Sequence, residues 1–196
     1  MFRKARSLAV LRAALDKYGW DARPSPKARS AASILTGRGI AYTYRSNTVV
    51  AVIAEVEVNR DTGGVWVKRF VCAHDCGLAI NPVGLSHTVE CGMLHGLSRA
   101  LWEEVQFDTE KVTSVDWASH PSLRHSDTPH TIDIVLVNGD PNPNRADLPH
   151  YGAGETSHKP VIAAVSNAVY DATGVRLRRA PFRKERVLAA LRAAQS

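Results

Sequence analysis

The stretch from Val49 to Val71 most constrains the fold. Residues 49–58 are rich in valine with partial alternation, and residues 59–64 (Asn-Arg-Asp-Thr-Gly-Gly) form a cluster of turn formers. Residues 65–71 then place Val65, Val67, Arg69 and Val71 on one face by strict alternation. β-Branched side chains pack well on a pleated surface, and Asn, Asp and Gly accept the backbone angles of a tight turn. The pattern predicts a β-hairpin. Another strand is expected to begin near Ile40, and Thr131–Val137 reads as a further one.

Helical spacing brackets these strands. Leu8, Leu11, Leu15 and Tyr18 form a stripe over residues 5–19 that Gly19 closes. Residues 21–37, rich in Pro, Ser, Arg and Gly, read as a loop. Asn81-Pro82 opens a second helix, with proline where its missing N–H costs little; it carries Val89, Met93, Leu94, Leu97 and Leu101 and should end near Glu104. Residues 107–117 read as short strands around a turn, and residues 140–149 as a polar loop. A third helix over residues 160–173 aligns Ile162, Val165, Val169 and Ala172 and stops at Gly174; residues 184–194 add a short terminal one. There are no internal repeats. Hairpins with interspersed helices give an α+β class, an antiparallel or mixed sheet with packed helices, rather than a doubly wound sheet.

With 196 residues, 44% of them hydrophobic and 22% charged, the chain can build one domain with a true core. No apolar run is long enough to span a membrane, and the basic start Met1-Phe2-Arg3-Lys4 leads into a segment broken by Arg12, Asp16 and Lys17 rather than a signal peptide. Three cysteines, Cys72, Cys76 and Cys91, argue against a disulfide framework and favour the cytoplasm, with export alongside a partner as the alternative. The net charge of +6 gathers at Arg23, Lys27 and Arg29 and along the tail from Arg176 to Arg186. We read this as a solvated basic face, the alternative being attraction to an anionic cofactor or surface. No aromatic interleaving points to nucleic acid. Cys72, His74, Cys76, Cys91 and His95 raise zinc as an alternative, but the ligand spacings of zinc sites are missing, and free cysteine packs as a small hydrophobe.

The segment most suggestive of chemistry runs from Pro149 to Phe182. A Gly-Ala-Gly loop delivers Glu155 ahead of a helix, where a ligand can approach the backbone closely. By spacing alone, Glu155 is an acid near a helix N-terminus. Its context resembles the C-terminal part of the molybdenum hydroxylase large subunit, the xanthine dehydrogenase and aldehyde oxidase family, and its isoquinoline 1-oxidoreductase-like branch above all. Gly154, Pro160, Asn167-Ala168 and Ala172-Thr173-Gly174 carry the match, although Thr156 and Lys159 stand where the family has proline. Asp75, Gly77 and Asn81-Pro82 resemble the D-x-G-x-x-x-N-P motif, and Glu90, Gly92, Gly96 and Leu97 the helix after it. There Thr88 replaces a glutamine, Cys91 a glycine and His95 a second glutamine. A hydroxyl cannot copy the paired donor and acceptor of an amide. Pro121, Leu123, Arg124 and Pro129 resemble a P-x-L-R segment, with Asp127 for a glutamate.

The resemblance implies the C-terminal portion of a molybdopterin-binding domain: residues 1–38 a lead-in, 39–182 the family-like core and 183–196 a tail. It implies hydroxylation of an N-heterocycle or an aldehyde with oxygen from water, Glu155 as the base, and Thr88, Gly154 and Gly92 on the cofactor side. The cofactor would be molybdenum–molybdopterin in its cytosine dinucleotide form, with iron–sulfur clusters in another subunit. Upstream G-Q-G and Gly/Phe/Arg-rich loops of the family are missing from the sequence. The expectation is therefore a chain that works only with the upstream part of the molybdenum subunit and a small iron–sulfur subunit, or a non-catalytic remnant that retains the fold.

Overall fold

The structure is a computed structural model that describes residues 5–28, 30–137 and 149–194. Its elements run α1 (Ala5–Tyr18), β1 (Ile34–Arg45), β2 (Thr48–Asn59), β3 (Val65–Asp75), α2 (Pro82–Leu101), a 3-10 turn (His125–Asp127), β4 (Thr131–Leu136), α3 (Val161–Thr173) and α4 (Lys184–Ala193). The strands form one sheet in the order β1-β2-β3-β4. β1 with β2 and β2 with β3 are antiparallel, whereas β4 joins β3 in parallel, so the sheet is mixed and the class α+β. The expected loop at 140–149 falls mostly outside the described residues, as do Arg29 and residues 1–4.

β2 is buried along both faces because helices cover both. On one side, Val10 and Ala14 of α1 pack on Val49, Ala51, Ile53, Val71 and Ala73. On the other, α2 and α3 bury Val89, Met93, Leu97, Val161, Val165 and Val169 against Val50, Val52, Ala54, Phe70 and Cys72. Each Val, Leu, Ile, Met or Phe among them stabilises the fold by about 1.5–3 kcal/mol on full burial. Val67 and Val71 fall in opposite clusters, not on the one face that simple alternation gives. The β2–β3 register shifts between Glu55 and Val56, and a shift of one residue reverses every later side chain.

β1 starts at Ile34, well before Ile40. Its glycines, which resemble loop punctuation in sequence, are where α3 lies closest. A Cβ on Gly39 would sit 2.3 Å from both the Ala164 oxygen and the Ala168 nitrogen. Two polar residues one turn apart on α3 fasten that contact: Asn167 donates to the Ile40 oxygen (2.9 Å), and Asp171 accepts from the Arg38 amide (2.9 Å). Residues 107–117 form a single bridge, Phe107 to Val112, instead of strands, and leave Phe107, Val115 and Trp117 exposed. Several tail arginines are docked rather than merely solvated. Arg179 and Arg186 both reach Glu104, and Arg183 donates to the Trp102 oxygen.

Candidate functional site

Glu155 lies at the end of the sheet where β1 leaves, β2 enters and β3 exits. Asp75, the last residue of β3, is fully buried and takes two 2.8 Å hydrogen bonds from Arg6 of α1. The same carboxylate accepts from the Gly77 amide (2.8 Å) and fixes the turn after β3. Gly77 has φ +79°, and a Cβ there would sit 1.9 Å from the Pro149 oxygen. Through this gap the chain bridges Gly77 to His150, while the Tyr151 amide donates to the Cys76 oxygen (2.8 Å). Buried Thr48, at the start of β2, then donates to the Gly152 oxygen (2.8 Å). The two motifs named from sequence, Asp75–Pro82 and Gly152–Glu155, are thus one hydrogen-bonded unit.

The turn after Gly154 rests on α2. Ser157 is fully buried, and a Cβ on Gly92 would lie 2.1 Å from its Oγ; one on Gly96 would lie 2.7 Å from the His158 oxygen. Gly92 and Gly96 are therefore seats for the turn. Gly152 and Gly154 differ: a Cβ at either meets nothing within 4 Å among the described residues. They line an open cavity of about 240 Å³ together with Arg45, Ser46, Glu155 and Thr156. Arg45 Nη1 lies 2.7 Å from Glu155 Oε2, and both side chains are more than half exposed. Arg45 is placed by a two-residue turn in which Ser46 and Asn47 both have positive φ.

Of the predicted site residues, the structure brings Gly92, Gly154 and Glu155 together through Ser157. Thr88 lies one turn of α2 before Gly92, exposed, and donates its hydroxyl to the Gly84 oxygen (2.9 Å). Cys91, His95 and Arg99 continue the exposed side of α2. Burial, then Arg99, hold the His158 imidazole below its ordinary value, with Lys159 and His95 adding to this and Glu155 opposing it. Asp127 accepts from the Arg124 amide (3.1 Å), and the Leu123 amide donates to Ser98 Oγ (2.9 Å), so the P-x-L-R loop is tied to α2.

Sequence reading missed Arg45, which lies 110 residues from Glu155 and belongs to no motif. It also missed Ser157, and it singled out His74 only within a zinc alternative; the Ser157 Oγ and both His74 ring nitrogens are buried without a hydrogen-bond partner among the described residues. Burial pushes the His74 imidazole down to about 4 despite the opposing pull of Asp75, and pushes the Cys72 thiol up to about 12. Cys76 is also buried and Cys91 exposed. Among the described residues no three His, Cys, Asp or Glu side chains are grouped to hold a metal ion. No helix among them is long and apolar enough to cross a membrane.

Residues 33–129 match the molybdopterin cofactor-binding domain family. The chain is 33% identical to a nicotinate dehydrogenase subunit of Pseudomonas putida over 95% of its own length and 16% of that protein's. It is 32% identical to the beta subunit of isoquinoline 1-oxidoreductase of Brevundimonas diminuta, over 91% of this chain and 21% of that one. Among solved structures, the aldehyde oxidoreductase of Desulfovibrio gigas superposes with a TM-score of 0.64 at 29% identity, covering 74% of this chain and 15% of that one. The chain belongs to the molybdenum hydroxylase large-subunit family.

As a member of that family it spans about a fifth or less of these relatives' length. The matched domain, residues 33–129, takes in β1 through α2, with Thr88 and Gly92. Gly154 and Glu155 lie beyond it and are covered by the match to the nicotinate dehydrogenase, which runs over nearly the whole chain. The open cavity of about 240 Å³ at Gly152 and Gly154 has room beside Glu155 for part of a molybdopterin group, and to that extent the residues fit the family's cofactor.

Proposed function

We propose that this chain carries the catalytic base of a molybdenum-dependent hydroxylase acting on an N-heterocycle or an aldehyde. One observation supports this above the rest: the Glu155 carboxylate stands exposed at the mouth of an open cavity, on a turn held from beneath by Thr48, Gly77 and Gly92. A general base must come within hydrogen-bond reach of its proton donor, and a carboxylate on a fixed turn beside empty space meets that demand. When bound, a molybdenum–molybdopterin group, in the cytosine dinucleotide form, supplies the redox chemistry that adds an oxygen from water to the substrate. Glu155 takes up the proton. Gly154 leaves the approach clear, Gly92 acts by seating the turn, and the Thr88 oxygen, its proton already given to Gly84, offers an acceptor.

The chain would work with the upstream part of the molybdenum subunit and a small iron–sulfur subunit, in the cytoplasm, with residues 39–182 as the family-like core of a single domain over 1–196. A second reading, a non-catalytic domain that retains the fold, draws support from Thr88, Cys91 and His95. All three depart from the family pattern, and all three lie exposed along α2.

The test is Glu155→Gln in the assembly with those partners. Turnover should fall by about 10²–10⁴ with molybdenum content unchanged, the loss expected for a positioned base. The chain on its own should bind no stoichiometric molybdenum. Full turnover in Glu155→Gln at matched molybdenum would remove Glu155 from the base role.

A further inference from the structure

We propose that Arg45, with the open backbone of Gly152 and Gly154, forms a subsite for an anionic group, a carboxylate or a phosphate. Glu155 occupies that subsite only until such a group displaces it. Three observations meet here. The first is the pair itself. Arg45 binds Glu155 through one nitrogen at 2.7 Å, with both side chains exposed, so the guanidinium keeps donors to offer. Exposed pairs of this kind are weak, and an incoming anion competes on nearly even terms. The second is space. A Cβ at Gly152 or Gly154 would meet nothing within 4 Å among the described residues, and the cavity between them and Arg45 has a volume of about 240 Å³, with Ser46 and Thr156 on its wall. That composition, one guanidinium with bare backbone and hydroxyl residues, suits a planar carboxylate or a phosphate.

The third observation is the charge around the turn. Among the charged groups that act on His158 in that turn are the cations Arg99 and Lys159, with the Glu155 carboxylate opposing them. Glu103 approaches Arg99 only to 3.9 Å. Basic side chains thus accompany the turn that carries Glu155, which favours the approach of an anion. A consequence follows that rests on Glu155 being the base. An anionic ligand that takes Arg45 releases the Glu155 carboxylate toward the cavity, so binding and activation of the base are coupled. The subsite itself does not depend on that role.

The experiment follows the amide resonances of Gly152 and Gly154 in the 196-residue chain at constant ionic strength. It is titrated separately with sodium benzoate, benzamide and inorganic phosphate. Saturable shifts with benzoate or phosphate, and none with benzamide, are expected. Benzoate alone would assign the subsite to a substrate carboxylate, and phosphate alone to a phosphate-bearing cofactor or substrate; either supports it. Arg45→Gln should weaken binding about tenfold or more, as loss of a charged hydrogen-bond partner does. Glu155→Gln should tighten it by up to about fivefold, because the internal competitor is gone. The absence of saturable shifts with both anions in the wild-type chain and in Glu155→Gln would overturn the proposal, as would equal binding by Arg45→Gln. These readouts need no turnover, so they stand or fall apart from the assignment of the base.

Discussion

Gly92 and Gly96 on α2 are buried under the turn that carries Glu155, whereas Gly152 and Gly154, which lead into that turn, face open space. The four glycines are alike in sequence and belong to the same pair of motifs, yet they do opposite physical work. The α2 pair removes side chains so that one piece of protein can touch another. The loop pair removes them where no atom of the described residues stands, and room of that kind serves a ligand. The lesson is that a glycine-bearing motif names a close approach without saying whether protein or ligand makes it. The neighbours within 4 Å decide.

The filled side of that contrast recurs at β1, against the backbone of α3. Gly39→Ala would press a methyl to 2.3 Å from two backbone atoms of α3, with no flexible side chain to yield. Overpacking usually costs 1–3 kcal/mol, and a rigid backbone contact puts this substitution at about 3 kcal/mol or more. Urea unfolding should show the chain largely destabilised or unfolded. A midpoint close to wild type would mean that α3 shifts freely, and the filled class would lose its meaning.

The filled side also buries polar groups, and His74 gives it a pH dependence. Burial lowers its folded-state pKa from 6.5 to about 4, so the folded chain resists a proton that the unfolded chain accepts. Stability is therefore complete above about pH 6.5 and falls with pH until it levels off near 4, a loss of about 3 kcal/mol. Asp133 and Asp171 act below that window: against their burial, Arg69 with Lys17 and Arg23 with the Arg38 amide hold them under 3.8. His74→Leu should flatten the decline between pH 6.5 and 4 and change little at pH 8, since neither ring nitrogen has a partner among the described residues. An unchanged slope would assign the acid sensitivity elsewhere.

Gly92→Ala tests the seat beneath Glu155. The added methyl meets Ser157 Oγ at 2.1 Å, and the next atom is 3.5 Å away. One hydroxyl is the whole obstacle, so the cost should be about 1–2 kcal/mol, within the usual range for overpacking. Ser157→Ala removes that hydroxyl, which has no hydrogen-bond partner among the described residues. The double substitution should recover stability to within about 0.5 kcal/mol of Ser157→Ala alone, a coupling that only direct contact produces. Additive losses would place the strain outside this contact.

Much of this architecture was legible in sequence, and what was hidden was hidden for physical reasons. The Val-rich runs and the Asn59–Gly64 turn announced β2 and β3, since alternation and turn chemistry are local. The start of β1 was not visible, because Gly37 and Gly39 read as loop until α3 lies on them. Thr131–Val137 reads clearly as a strand, but the parallel pairing of β4 with β3 depends on a distant neighbour. The face reversal between Val67 and Val71 came from a register shift that alternation cannot foresee. At the site, Glu155, Gly154 and Gly92 stood out through motif context. Arg45 carried no signal, because a turn residue far along the chain becomes relevant only once the sheet brings its end beside the loop.

Gly154→Ala is expected to have the smallest effect on the fold and is the sharpest test of the comparison. A Cβ there meets nothing within 4 Å among the described residues, and Gly154 is not among the positive-φ residues, so alanine fits the backbone as it stands. The folded state gains no clash, and the unfolded chain loses some freedom, which by itself favours folding. The urea midpoint should therefore stay within about 0.5 kcal/mol of wild type. The methyl nonetheless enters the cavity beside Arg45, where the proposed anion would sit. Binding of benzoate or phosphate should weaken while stability holds, the reverse of Gly92→Ala, which should lose stability first. If Gly154→Ala destabilises the chain as much as Gly92→Ala does, the open space at the loop is not open in solution, and the distinction between a seat and a mouth fails.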